Sequence, residues 1–237
     1  MKVLLGLSGG VDSSVAAYLL KQEGFEVTAG FMRNWEDDDG SPYCSVKEDF
    51  MDAAQVADKL SINLVQMNFA QKYKEKVFSY FLEELNKGKT PNPDIYCNKY
   101  IKFKEFTDYA FENGYDAVAT GHYSKIQVID REYFLCKSYD QSKDQTYFLS
   151  QVDKEIFSKI KFPLGNLLKT DVRKIAEREN LITFDKKDST GICFIGERPF
   201  PEFLKNYLPE EYGEIVDDSG EVIGSHKGLH FYTIGQR

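Results

Sequence analysis

Four short apolar runs punctuate the first half of the chain: KVLLGL (residues 2–7), EVTAGFM (26–32), INLVQMN (62–68) and DAVATG (116–121). Between them the apolar residues recur at helical spacing, and this alternation constrains the fold more than any other feature. Val11, Val15, Ala16, Leu19 and Leu20 make one helical stripe, and residues 45–60 and 71–86 make two more. Ile101, Phe103, Phe106, Ala110 and Phe111 mark a fourth helix over 97–113. Strands that alternate with helices pair in parallel, because each crossover returns the chain to the same end of the sheet. The expected fold class is α/β, a Rossmann-like parallel sheet with helices on both faces. Ligands of such sheets bind beyond the carboxyl ends of the strands.

SKIQVI and REYFLCKS flank Asp130-Arg131 and predict an appended hairpin, with Cys136 a packed strand residue. Residues 145–180 return to helical patterns and are read as a helical extension of a first domain spanning 1–208. From residue 209 the glycine-rich text GEIVDDSGEVIGSHKGLHFYTIGQR predicts short strands and turns, the beginning of a β-rich domain over 209–237. So short a stretch rarely forms an independent domain, and the expectation is a truncated chain. His226 and His230 lie four apart in that strand-like text, a poor spacing for a metal pair.

A composition of 42% hydrophobic and 29% charged residues is that of a folded globular protein rather than a disordered one. No run approaches the roughly 18 apolar residues of a membrane helix. MKVLLGLSGG enters a glycine loop too early for a signal peptide, so a cytoplasmic location is expected. Cys44, Cys97, Cys136 and Cys193 show neither C-x-x-C pairing nor zinc-ligand spacing, which points to free thiols and no resident metal. The net charge of −8 is unevenly spread. Residues 86–104 hold five lysines against Asp94 alone, and residues 151–200 hold 10 basic and 8 acidic side chains. Locally positive ground therefore surrounds Cys97 and Cys193, and phosphate contacts need only a local field.

GLSGGVDSS, residues 6–14, follows the first strand and opens the first helix. Gly9 and Gly10 allow tight turns whose N–H groups face a phosphate, Ser8, Ser13 and Ser14 add hydroxyls, and the helix presents its positive end. Neither a Walker loop nor a G-x-G-x-x-G fingerprint is present. S-G-G-x-D-S after an N-terminal strand resembles the pyrophosphate loop of ATP pyrophosphatases, which cleave ATP between the α and β phosphates and adenylate a carbonyl oxygen. Asp12 would assist magnesium or the leaving pyrophosphate.

TPNPDIYCNKYIKF, residues 90–103, has a Pro-x-Pro approach that predicts an extended segment exposing Asn92 and Asp94. Cys97 then falls near the start of a helix beside Lys99 and Lys102, where a thiolate is favoured; considered alone, the reading as a buried cysteine capping a helix prevails. In DSTGICFIG, residues 188–196, Cys193 lies between Gly191 and Gly196, in a loop free to approach a ligand. The acidic run in WEDDDG (35–40) reads as a solvated loop as readily as a metal site.

With GHY (121–123) and KDQTYFL (143–149), these stretches closely resemble the tRNA-specific 2-thiouridylase family, in the family's order and from residue 3 to the end of the chain. The resemblance implies the adenine nucleotide alpha hydrolase type of Rossmann-like fold, with a central domain and a C-terminal β-barrel continuing past Arg237. It implies an ATP-dependent exchange of oxygen for sulfur at carbon 2 of a tRNA wobble uridine, with magnesium. Gly6, Leu7, Ser8, Gly9, Gly10, Val11, Asp12 and Ser13 would bind the ATP phosphates, and Met32 and Gly121 would close around the nucleoside. Asn92, Pro93 and Asp94 would contact the flipped-out base, with Asp94 as general acid/base. His122, Lys143, Asp144 and Gln145 would touch the tRNA; read without the family, His122 caps a strand end. Cys193 would carry a persulfide loaded by a sulfur-donor protein, and Cys97 would be the second thiol, leaving a Cys97–Cys193 disulfide after transfer. An iron–sulfur cluster on Asp94, Cys97 and Cys193 is a rival role that the residues leave open but do not favour. Another ATP-dependent tRNA thiolase or amidase of the same loop type, or a weakly active ATP- and tRNA-binding fragment, are the alternatives.

Overall fold

The structure is a computed structural model and describes residues 1–36, 46–188 and 200–232. Cys44, Cys193, the acidic residues 37–39 and most of the DSTGICFIG stretch lie outside the described residues. The four expected strands are β1 (Lys2–Gly6), β2 (Glu26–Arg33), β3 (Asn63–Asn68) and β4 (Ala117–Thr120). α1 (Val11–Gln22) links β1 to β2, and α2 (Val46–Leu60) precedes β3. β5 (Ser124–Ile129) and β6 (Glu132–Lys137) form the expected antiparallel hairpin. Its turn residues Asp130 and Arg131 have φ of 51° and 68°, the paired left-handed conformation that suits the twist of a tight hairpin.

A fifth strand, β7 (Ile160–Lys161), pairs in parallel with β4 and completes the order β3-β2-β1-β4-β7. This corrects the reading of residues 145–180 as helical throughout. The stretch begins with 3-10 turns at Thr146–Leu149 and Lys154–Lys159, passes through β7, and only then forms the helix Lys169–Arg178. A strand two residues long has no periodicity to read, and its pairing with β4 is what defines it.

Alternate side chains of each strand serve opposite faces. On one face α1, α2 and the helix Lys169–Arg178 cover Val3, Leu5, Ala29, Ala117 and Ala119. On the other, helical segments over 70–86 and 93–112 cover Leu4, Met67 and Val118. Both segments contain π-helical stretches, Lys74–Phe78 and Cys97–Glu105. Lys72 and Lys76 bond the buried Glu105 carboxylate and tie one segment to the other. Burial opposes the Glu105 charge, but the two lysine hydrogen bonds outweigh it and hold the carboxyl below its ordinary pKa.

Beyond the first core, the helix Phe200–Leu204 buries Phe203 and Leu204 against the same aromatic cluster. Phe78 is its hub, with ring centroids 4.9 Å from Trp35, 5.9 Å from Phe203 and 4.7 Å from Tyr207. β8 (Gly213–Val216) and β9 (Val222–His226) then form a two-stranded ribbon. His226 ends β9, whereas His230 lies in the following 3-10 turn, so the two do not share a strand. Among the described residues no helix is long and apolar enough to cross a membrane.

Replacing Phe78 by Ala empties the centre of this cluster. It should destabilise the chain by about 3–5 kcal/mol in denaturant titration; a loss below about 1 kcal/mol would show that the C-terminal helix is not docked there.

Candidate functional site

The strand order reverses at β1, so the carboxyl ends of β1 and β4 open onto one crevice. The chain leaves β1 there, and α1 begins at Val11 with Gly10 as its N-cap. Gly9 has φ 78°, and a Cβ on it would lie 2.3 Å from the Asp49 carbonyl oxygen, so glycine is required both by conformation and by contact. Ser13 Oγ accepts from the Ser8 N–H at 3.2 Å and donates to the Gly10 carbonyl at 3.1 Å. Ser14 Oγ donates to the same carbonyl at 2.8 Å. The serines thus hold the loop tight while the positive end of α1 faces the crevice.

A cavity of about 240 Å³ lies at that end. Ser8, Gly10, Val11, Asp12 and Ser13 form one wall; Tyr123, Lys143, Gln145, Lys169, Lys187 and Asp188 form the other. Lys169 is its central charge. The buried ammonium bonds both Asp12 oxygens at 2.7 and 2.8 Å and Asp188 at 2.8 Å. The Tyr123 hydroxyl donates to Asp12 Oδ1 at 2.8 Å. Asp188 also takes Lys143 at 3.1 Å and Arg173 at 2.7 Å. Burial opposes the Asp188 charge, but hydrogen bonds from Lys169 and Lys143, with their charges, hold its carboxyl at about 2. Burial and then the Asp12 charge push the Tyr123 phenol up, so it stays a protonated donor.

The remaining expected residues divide by position. At the strand ends, a Cβ on Gly6 would lie 3.0 Å from Met32 Cε, and one on Gly121 would lie 2.8 Å from the Ser13 nitrogen. Gly121 therefore lets the end of β4 seat directly against the first turn of α1. Lys143, Asp144 and Gln145 do three different things. Lys143 faces the cavity, and Asp144 accepts from the Ser138 N–H at 2.8 Å and the Thr146 hydroxyl at 2.9 Å. Gln145 clamps Tyr123, accepting from its N–H at 3.0 Å and donating its own N–H to the Tyr123 carbonyl at 2.9 Å. His122 Nδ1 pairs with Thr120 Oγ1 at 2.8 Å across the end of β4. Burial, and then the Lys102 charge, hold its pKa well below the ordinary value, so the ring is neutral.

Asn92 and Asp94 are half-buried rather than exposed, because the helix starts at Pro93 and not at Cys97. Asn92 is the N-cap, its side chain accepting from the Asp94 N–H at 3.0 Å, and Pro93 takes the first helical position. Cys97 consequently sits one turn inside, 1% exposed, where the π-helical stretch begins. This corrects its placement beside a free helix N-terminus. Asn98 Nδ2 donates to the Phe148 carbonyl at 3.2 Å, so the Cys97 helix and the cavity wall share the turn that follows Gln145.

Tyr123, Lys169, Arg173, Lys187 and Asp188 belong to the site although none was an expected site residue. Tyr123 and Asp188 lie inside the GHY and DSTGICFIG motifs, and that membership is the signal that marks them. Lys169 left a fainter signal, a lysine opening a helix, where the dipole disfavours a cation unless acidic partners hold it.

Residues 1–197 match the family model described as the tRNA methyl transferase HUP domain, and residues 201–237 match the tRNA methyl transferase PRC-barrel domain. The chain is 56% identical over 236 residues to a tRNA-specific 2-thiouridylase MnmA of Methylobacillus flagellatus, covering 100% of this chain and 66% of that protein. The MnmA of Chromobacterium violaceum is 54% identical, covering 100% and 62%, and that of Nitrosomonas eutropha 55%, covering 100% and 65%. The chain thus spans 62–66% of the length of these relatives.

The depressed Asp188 carboxyl favours the folded state above the unfolded pKa of about 4, and that contribution disappears as pH falls through about 2. Asp188→Asn should therefore flatten the acid limb of a stability–pH profile between those limits. An unchanged limb would show that the Lys169 and Lys143 contacts do not form in solution.

Proposed function

The chain belongs to the tRNA-specific 2-thiouridylase family, and from that premise we propose that it is the nucleotide-binding and catalytic part of an enzyme that makes 2-thiouridine at the tRNA wobble position. The observation that carries this is the cavity at the mouth of the Ser8-Gly9-Gly10 loop, faced by Lys143, Lys169 and Lys187 against Asp12 and Asp188. At about 240 Å³ it is smaller than the ~300–1,000 Å³ of a drug-sized ligand site. It suits a polyphosphate, with the nucleoside lying outward toward Met32 and Gly121.

The uridine carbonyl oxygen is a poor leaving group. In the proposed reaction it attacks the α phosphorus of ATP; the new O–P bond forms as the α–β bridge breaks and pyrophosphate departs with the electron pair. Loop N–H groups and the lysines would balance the charge that develops on the leaving group. Asp12 and Asp188 are the carboxylates of this wall that would hold magnesium in exchange for their lysine contacts, and the ion when bound would spread the phosphate charge.

Sulfur from a Cys193 persulfide would then replace the adenylated oxygen and release AMP. In direct attack the terminal sulfur joins carbon 2 as AMP leaves, and Cys97 then attacks the Cys193 sulfur to free the 2-thiouridine; alternatively Cys97 attacks that sulfur first, and the hydrosulfide it releases attacks carbon 2. Either route would leave a Cys97–Cys193 disulfide for an external thiol to reduce. Asp94, half-buried one turn before Cys97, is the proposed acid/base for the uridine. His122, neutral at the mouth of β4, would offer hydrogen bonds rather than charge to the tRNA.

The test uses the chain extended to the length of its relatives, incubated with ATP, magnesium, a persulfide donor and unmodified tRNA. Mass spectrometry of the digested nucleosides should show an oxygen-to-sulfur shift on the wobble uridine that Cys97→Ser and Cys193→Ser abolish. Lys169→Met should lower the rate of AMP formation by about 10²–10³. AMP and pyrophosphate formed on another acceptor, with no shift in the tRNA, would overturn the assignment.

A further inference from the structure

The charged run Asp185-Lys186-Lys187-Asp188 is only partly used by the cavity. Lys187 and Asp188 face it, whereas Lys186 reaches behind the glycine loop. Its ammonium donates to the Gly9 carbonyl at 3.0 Å, to Asp49 at 2.8 Å and to Asp52 at 2.5 Å. We propose that Lys186 is a positioning residue for nucleotide binding: it pins the Gly9 carbonyl to the back of the loop and thereby aims the Gly10 N–H into the cavity.

Peptide geometry supplies the argument. The Gly9 carbonyl and the Gly10 N–H belong to one planar trans peptide and point in opposite directions. Fixing the carbonyl toward Lys186 and α2 directs the N–H the other way, toward the cavity that Gly10 lines. Glycine at position 9 leaves this peptide free to rotate, so an external restraint is needed. The Asp49 backbone, close enough to exclude a Cβ at position 9, bounds the loop on one side, and the Lys186 ammonium holds the peptide from another. Lys186 has a second effect. Asp49 and Asp52 place two carboxylates behind a loop assigned to an anion, and the ammonium offsets both. Burial opposes the ammonium's charge, but the hydrogen bonds to Asp49 and Asp52, with their charges, outweigh it and raise the lysine pKa, so the cation persists.

This inference rests on the reading of the loop as the site of ATP phosphates, and the test separates the two. The wild-type chain, Lys186→Met, Lys186→Arg, Asp49→Asn/Asp52→Asn and the triple variant with Lys186→Met are titrated with ATP and magnesium by calorimetry. The Gly10 amide is followed by nitrogen-15 NMR in parallel. Lys186 and its two partners are about one-third exposed, at 32%, 31% and 29%, so the single variants should fold. The expected result is an ATP affinity about tenfold or more weaker in Lys186→Met, with the Gly10 amide shift on ATP addition lost and both recovered in Lys186→Arg. The triple variant, which keeps the question open to test if Lys186→Met is unfolded, should bind ATP more weakly than Asp49→Asn/Asp52→Asn. Wild-type affinity and an unchanged Gly10 response in folded Lys186→Met, or equal affinities in those last two variants, would overturn the positioning role. Failure of the wild-type chain to bind ATP would instead overturn the reading of the loop, and this inference with it.

Discussion

The ammonium of Lys169 is the contact on which the site depends. It is buried, and a buried cation is stable only where opposite charge and hydrogen bonds replace water. Asp12 and Asp188 supply both, and Tyr123 adds a hydrogen bond to Asp12. Three parts of the chain meet there: the loop after β1, the segment after β4, and the run that ends at Asp188. The sheet brings the first two together because β1 and β4 are neighbours on either side of the reversal in strand order. The third arrives through the helix Lys169–Arg178, packed on α1 through Val172 and Ala176.

That arrangement explains why the site is not acidic although the chain carries a net charge of −8. Its aspartates are already bonded to lysines or arginine, so the cavity offers a balanced wall with cations near its surface. A polyphosphate entering it would compete with Asp12 and Asp188 for Lys169. The same exchange would place the lysine against the group that must leave. Nucleotide binding and leaving-group stabilisation would then draw on one side chain.

The layered sheet was legible because its four longer strands are apolar runs bounded by helical stripes. The hairpin was legible from Asp130-Arg131. β7 was not, since two residues carry no pattern. Asn92-Pro93 is an N-cap followed by proline at the first helical position, yet the neighbouring Pro91 made the stretch read as extended and displaced Cys97 from its true place one turn inside the helix. The glycine loop declared itself because its chemistry is local: turn, hydroxyls and helix end are adjacent in sequence. The Lys169–Asp12 pair spans 157 positions and the Lys186–Gly9 bond 177, and no local pattern encodes such partners.

Under the proposed function, the cavity beside Lys169 would join the uridine oxygen to the α phosphate of ATP. Oxygen-18 placed at carbon 2 of the wobble uridine tests it directly, with the chain at the length of its relatives and a persulfide donor present. The account predicts that the label leaves the base and appears in AMP as sulfur enters. Unlabelled AMP accompanying 2-thiouridine, or ADP and phosphate in place of AMP and pyrophosphate, would contradict it.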